Sequence, residues 1–155
     1  MNDRVIWFGR HEGWLRWLAH GVKDGDEECV RKAAGLFDLM LPDECVVVPM
    51  PSHEGRASVM WDVAEAIRQK AETRKCRWFV DCLRCDPHTS CYDQKMLGLV
   101  PAPFRMWLEC EVATSSPVFI IDNVVGSGVT AQCALAAFDQ KYDVNVCALT
   151  RGVGR

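Results

Sequence analysis

The stretch VFIIDNVVGSGVT, residues 118–130, decides the reading of this chain. Four apolar residues, Val118 to Ile121, stop at an acid–amide pair, Asp122-Asn123. A Gly126-Ser127-Gly128 turn follows and opens onto VTAQCALAAFDQKY, a helical pattern over 129–142. An apolar strand that runs through a tight turn into a helix is the repeating unit of a parallel sheet with both faces covered.

The rest of the chain repeats that alternation. EGWLRWLAHGV (12–22) and GDEECVRKAAGLFDLML (25–41) carry helical periodicity, the second with acids at its positive end. CVVVPMP (45–51) is a β-branched run closed by two prolines, a strand entering a tight loop. ASVMWDVAEAIRQKAE (57–72) is again helical. CRWFVDCL (76–83), FRMWLECEV (104–112) and VNVCALT (144–150) read as further strands, and CDPHTSCYDQ (85–94) as a polar loop. The predicted fold class is α/β: a Rossmann-like, mainly parallel sheet with helices on both faces, forming one domain over residues 1–155.

Composition narrows the function classes. A chain of 155 residues is long enough for one self-sufficient core, burying about 70% of the surface its unfolded form exposes. A net charge of -3 supplies no general basic field for nucleic acid, so any such contact would need a local basic patch. No apolar run reaches the ~20 residues of a membrane span, and MNDRVIWFGRHEG carries charges through any signal-like region. Nine cysteines without a secretion signal predict reduced thiols and a cytoplasmic protein.

The chemistry of 118–130 follows from its position beyond a strand's carboxyl end, where open α/β sheets bind ligands. Gly126 and Gly128 let backbone amides approach an anion, the helix start leaves amides unpaired, and Ser127 and Thr130 add hydroxyls. A plain connecting turn is the competing reading of the glycines alone. The adjacent Asp122-Asn123 pair argues against it. A carboxylate beside a phosphate is repulsive unless something separates them, and a ribose does so, its 5′-phosphate in the turn and its 2′- and 3′-hydroxyls donating to the acid–amide pair. A dinucleotide fingerprint at Gly126, Gly128 and Ala131 fits less well, because the acid expected about 20 residues later is missing. No Gly-Lys-Ser/Thr follows, which excludes a Walker-type loop.

These residues resemble the phosphoribosyl pyrophosphate signature of type I phosphoribosyltransferases, an apolar strand ending in two acids and then a Thr/Ser-Gly-x-Thr loop. The chain is most similar to the ComF (competence protein F) family, without its N-terminal zinc finger. HEGWLRWLAHGVK resembles that family's opening helix, and VVPMPSHEGRASVMWDVAEAI its proline loop, arginine and helix. The resemblance implies a type I phosphoribosyltransferase fold and binding of 5-phosphoribosyl 1-pyrophosphate, or a nucleoside monophosphate, with Mg. The activity it implies is transfer of phosphoribose to a nitrogen nucleophile with release of pyrophosphate. It further implies Asp122 and Asn123 on the ribose, with Asp122 reaching Mg through ribose hydroxyls or water. Val125, Gly126, Ser127, Gly128, Val129 and Thr130 would hold the 5′-phosphate, and Pro51, Ser52, His53, Gly55 and Arg56 the pyrophosphate. The mobile loop of relatives falls at 83–95, where Arg84 and Lys95 are candidate cations for the leaving group. A homodimer is common among relatives. Three departures stand out. Asn123 replaces the second acid, Gly126 stands where purine-salvage relatives carry an aspartate, and the family's RGFNQ stretch is degraded to GRASVMW. Gly126 argues against standard hypoxanthine–guanine salvage; Asn123 and the degraded stretch favour, as the alternative, a non-catalytic nucleotide sensor or an accessory of DNA handling.

Other motifs compete for attention. Cys82-x2-Cys85 with His88 and Cys91 offers four ligands to zinc, but only one such knuckle is present, and core packing is the simpler reading. Six tryptophans invite a stacking platform. Trp14, Trp17, Trp61 and Trp78 fall instead at positions expected to face a core, as do Cys110, Cys133 and Cys147.

Overall fold

The computed structural model of the protein describes residues 3–70 and 75–152. Its main sheet has five parallel strands in the order β1-β7-β6-β2-β3: Val5–Arg10 (β1), Val144–Arg151 (β7), Val118–Val125 (β6), Glu44–Pro49 (β2) and Cys76–Phe79 (β3). Helices α1 (Gly13–Lys23), α2 (Glu27–Met40) and α3 (Val59–Lys70) pack side by side as one layer. A two-stranded antiparallel hairpin, β4 (Leu83–Cys85) and β5 (Met106–Leu108), packs with α5 (Val129–Ala137); α4 (Cys91–Met96) lies in the segment between β4 and β5. The crossover through α3 runs from β2 out to β3, whereas the one through α5 runs from β6 the opposite way to β7. Right-handed crossovers in opposite directions require opposite faces, so α5 and the hairpin cover the face that α1 to α3 leave open.

The central strands are apolar because both of their faces are covered. Val46, Val47 and Val48 of β2, Ile120 and Ile121 of β6, and Val146 to Leu149 of β7 are buried, closed by Leu18, Phe37 and Ile67 from the helices. Burying such side chains contributes roughly 1.5–3 kcal/mol each. Asp26 caps α2, accepting from the Cys29 amide at 2.8 Å, as the acidic start of that helix anticipates. Among the described residues no helix is long and apolar enough to cross a membrane.

The structure corrects several expectations. CRWFVDCL is not one strand: β3 ends at Phe79, and Leu83 begins a separate antiparallel strand. FRMWLECEV yields only the short β5, outside the parallel sheet, and the 85–94 loop contains the start of α4. Residues 5–10 form an edge strand that the sequence leaves unsignalled, since VIWF has no alternation and its partner lies some 140 residues away. The tryptophan reading fails as well: Trp14, Trp17 and Trp78 are exposed and Trp61 is half-buried; Cys110 is also exposed, while Cys133 is half-buried and Cys147 buried.

An ion cluster ties β3 to the helical layer. The Arg77 guanidinium, whose side chain is fully buried, bonds the Asp38 carboxylate and the carbonyls of Asp38, Leu41 and Pro42. Lys75 reaches the same carboxylate at 2.9 Å. Removing that carboxylate leaves a buried cation unpaired. Asp38→Ala should therefore cost about 3 kcal/mol in urea unfolding; a loss under ~1 kcal/mol would show that the backbone carbonyls alone satisfy Arg77.

Candidate functional site

Strands β2 and β6 pair from Val46↔Val118 to Pro49↔Ile121. The last bond between them is the Met50 amide donating to the Ile121 carbonyl at 2.9 Å. Beyond it the two chains part. β2 turns into the loop 50–58, while β6 continues to Val125 paired with β7 alone. Because the crossovers after these two strands leave in opposite directions, this is the switch point of the sheet, where the crevice of an open α/β fold lies. Asp122 was expected at the end of its strand. It sits three residues short of that end, yet at the first position past the parting.

Asp122 and Asn123 point to opposite sides, as successive strand residues must. Asn123 faces α1 and donates its Nδ2 to the Ala19 carbonyl at 2.7 Å. Its Oδ1 is buried and has no partner among the described residues. Asp122 is half-buried and accepts one bond, from the Asn123 amide at 2.7 Å. No cation faces it among the described residues, and burial pushes its carboxyl up to about 6. Both side chains thus carry acceptor capacity that the protein itself leaves unfilled.

Beyond Val125, Gly128 takes a left-handed conformation (φ 85°) that a side chain would strain, and it caps α5. The helical ladder starts with the Gln132 amide bonding the Gly128 carbonyl at 2.9 Å. Among the described residues the preceding amides of Val129, Thr130 and Ala131 have one weak acceptor, Ser127 Oγ at 3.5 Å from the Val129 nitrogen. Gly126 and Ser127 are exposed; Val129 and Thr130 are half-buried.

Helix α4 sits over this corner. The Lys95 ammonium lies 3.7 Å from where a β-carbon on Gly126 would be, and Cys91 Sγ is 3.7 Å from Thr130 Oγ1. The Lys23 ammonium lies 5.3 Å from the Tyr92 ring centre, so the end of α1 meets α4. Of the two cations singled out in 83–95, Lys95 thus reaches the anion turn. Arg84 does not act as a free cation. It is buried and paired with Asp81 at 2.7 Å and Glu109 at 2.6 Å, where it holds the β4–β5 hairpin together.

The loop 50–58 is braced from below by β4. The carbonyl of Gly55, a residue at φ 111°, accepts from the Cys85 amide at 3.1 Å, and a β-carbon there would stand 2.9 Å from the Cys85 carbonyl oxygen. The Ser52 amide bonds the Arg56 carbonyl, the Gly55 amide the Ser52 carbonyl, and the Glu54 amide Ser52 Oγ. With these amides engaged, any anion contact from this loop falls mainly to Arg56, which is exposed and 4.0 Å from Glu109. Pro51 is buried; His53 is exposed and its carbonyl accepts from the His88 amide.

The candidate zinc residues point apart. Cys85 Sγ bonds the Ser52 carbonyl, His88 stacks on Phe104 with ring centres 3.6 Å apart, and Cys82 is buried. Among the described residues no three His, Cys, Asp or Glu side chains converge as a metal cage. A single carboxylate beside a phosphate site suits magnesium differently, since that ion is commonly held by one or two carboxylates, water and the ligand's own phosphates. The sequence reading missed Gly152, whose amide bonds the Val125 carbonyl at 2.8 Å and so fixes the exit of β6. It also missed Lys23 and Tyr92, which no local pattern connects. A groove of about 600 Å³ lies elsewhere, between α2 and α3. Compared with known proteins, the chain matches no family model and no curated protein.

The Asp122 carboxyl yields a pH test. Its folded value of about 6 exceeds the 3.8 of a free aspartate, so the folded state holds the proton more tightly. Stability therefore falls as pH rises from about 4 to about 6 and levels off above. Asp122→Asn should flatten that segment and raise stability at pH 7 by up to about 2–3 kcal/mol, with little change at pH 4. An equal effect at both pH values would mean that the carboxyl is not desolvated.

Proposed function

We propose that the protein binds 5-phosphoribosyl 1-pyrophosphate with magnesium and transfers its phosphoribosyl group to a nitrogen nucleophile, releasing pyrophosphate. The observation that carries this reading is Asp122: a half-buried carboxylate that faces no cation among the described residues, at the sheet's switch point and one turn before the first amides of α5, which have no backbone acceptor among those residues. A sugar phosphate satisfies both needs at once. The 5′-phosphate meets the amides of Val129 to Ala131 with the Ser127 and Thr130 hydroxyls, and the ribose hydroxyls donate to Asp122; Asn123, expected on the ribose, faces α1 on the other side of the strand with its Oδ1 buried.

The C1–pyrophosphate bond breaks as the acceptor nitrogen's lone pair forms the new C1–N bond, and the nitrogen gives up its proton to solvent. Positive charge grows on the sugar ring, so a desolvated carboxylate held below it stabilises the transition state more than the ground state. Lys95 and Arg56 neutralise phosphate oxygens, and α4 keeps water from the reacting carbon. Magnesium, held by Asp122 and the ligand, would supply charge neutralisation on the leaving pyrophosphate. Free thiols on all nine cysteines suit a reducing compartment, and we place the protein in the cytoplasm on that ground.

A second reading is a sensor that binds the same ligand without turnover. It is favoured by Arg84, whose charge is already spent on Asp81 and Glu109, and by Asn123, whose amide is committed to α1. Single-turnover pyrophosphate release, measured across purines, pyrimidines and primary amines, separates the two. Release with any acceptor supports the transferase; saturable binding without release supports the sensor. Asp122→Ala should abolish binding in either case while the protein keeps its circular dichroism spectrum. Lys95→Gln and Thr130→Val should each weaken binding by roughly 1–3 kcal/mol. Unchanged affinity in all three variants overturns the assignment.

A further inference from the structure

We propose that His11 and His20 form a proton switch that sets how firmly α1 seats on the carboxyl edge of the sheet. His11 is the joint between β1 and α1, which are separated by His11 and Glu12 alone. Its amide donates to the Arg151 carbonyl at 2.8 Å, and its Nδ1 bonds the Thr150 hydroxyl at 2.9 Å. Main chain and side chain thus both hold it to the end of β7. Thr150 is fully buried and His11 half-buried. From the other side α1 brings His20 against it, with ring centres 5.6 Å apart. His20 adjoins Ala19, whose carbonyl holds Asn123, and one turn further on Lys23 approaches Tyr92 of α4. A looser seat for α1 therefore disturbs both of its contacts with the Asp122 corner, whatever that corner binds.

A neutral His11 packs here without cost, whereas a proton on it creates a half-buried cation beside a second imidazole. The charged groups that face it raise that cost. From α1 these are His20 and Arg16, four residues apart and so on one face of the helix. Burial first, and then both of these groups, push the His11 imidazole below its ordinary 6.5. From β7 comes the neutral Thr150 hydroxyl, while the Arg151 guanidinium is turned over the Trp7 ring, 4.6 Å from its centre. The neighbours in the chain, Arg10 and Glu12, are exposed, and neither histidine has a carboxylate partner among the described residues. The folded state holds the His11 proton less tightly than the unfolded chain does. Its contribution to stability is complete well above pH 6.5 and shrinks as pH falls through that value. Asp122 acts in the opposite sense, since its protonation stabilises, so it cannot be the source of a loss in acid.

The test is native-state amide hydrogen exchange of the full chain at about pH 7.5 and about pH 5.5, expressed as protection factors so that the intrinsic pH dependence of exchange cancels. Protection of the α1 amides from Leu15 to Val22 is expected to fall about threefold or more at the lower pH, while that of α3 does not fall. His11→Asn keeps an N–H for the Thr150 hydroxyl but takes up no proton, and it should remove the drop. His20→Gln and Arg16→Gln should each move the midpoint of the His11 ring titration, followed by NMR, up toward 6.5. Thr150→Val should lower α1 protection at both pH values alike, which distinguishes loss of the bond from loss of the switch. Three results would overturn the proposal: equal α1 protection at the two pH values, a drop that survives in His11→Asn, or a His11 midpoint that neither His20→Gln nor Arg16→Gln moves. Should His11→Asn fail to fold, the midpoint in His20→Gln decides, because His20 is exposed and its replacement leaves the fold intact.

Discussion

The arrangement depends on one event in the backbone: β2 and β6 stop bonding after Pro49 and Ile121. Up to that point they form the apolar centre of the sheet. Past it, their crossovers leave for opposite edges, and β6 runs on with β7 as its only neighbour. A strand that loses one partner exposes its next side chain to a crevice, and here that residue is an aspartate. Everything assigned to the site follows from this placement. The carboxylate is withdrawn from water by the surrounding chain, meets no cation among the described residues, and titrates upward as a result. A protein keeps such a group at a cost in stability, which is the usual sign that the group serves something other than folding.

The corner is roofed by two elements distant in sequence. Helix α1 fixes Asn123 through the Ala19 carbonyl, and α4 brings Lys95 above Gly126 and Cys91 against Thr130. They meet where Lys23 approaches Tyr92. Since that contact is between exposed residues and α4 has only six residues, the roof is held less firmly than the floor of β6 and β7. The inner side of helix α1 holds Asn123, and Trp14 and Trp17 are exposed to solvent.

Much of the fold was legible because its central strands are buried on both faces. Runs such as VVV and VFII have one plausible role, and the helices between them carry clean periodicity. What escaped was structure set by distant partners. β1 gains its identity only from β7, at the other end of the chain. The β4–β5 hairpin is held by Arg84 between Asp81 and Glu109, so an arginine that looked like a ligand cation serves the scaffold instead. Tryptophans at helical spacing were read as core because apolar periodicity does not say which of two apolar faces is covered; in α1 the aliphatic side is buried and the aromatic side is left to solvent. At the site, the order strand, acid, glycine turn, helix was readable locally. The approach of Lys95 was not, since it requires the path of the chain between β4 and β5.

The most direct measurement is a crystal structure with ribose 5-phosphate bound. The account predicts phosphate oxygens about 3 Å from the amides of Val129 to Ala131, and sugar hydroxyls at hydrogen-bonding distance from Asp122. A ligand bound elsewhere, with α4 still seated on Gly126 and Thr130 and the carboxylate of Asp122 still without a donor beyond its own neighbour, would contradict it.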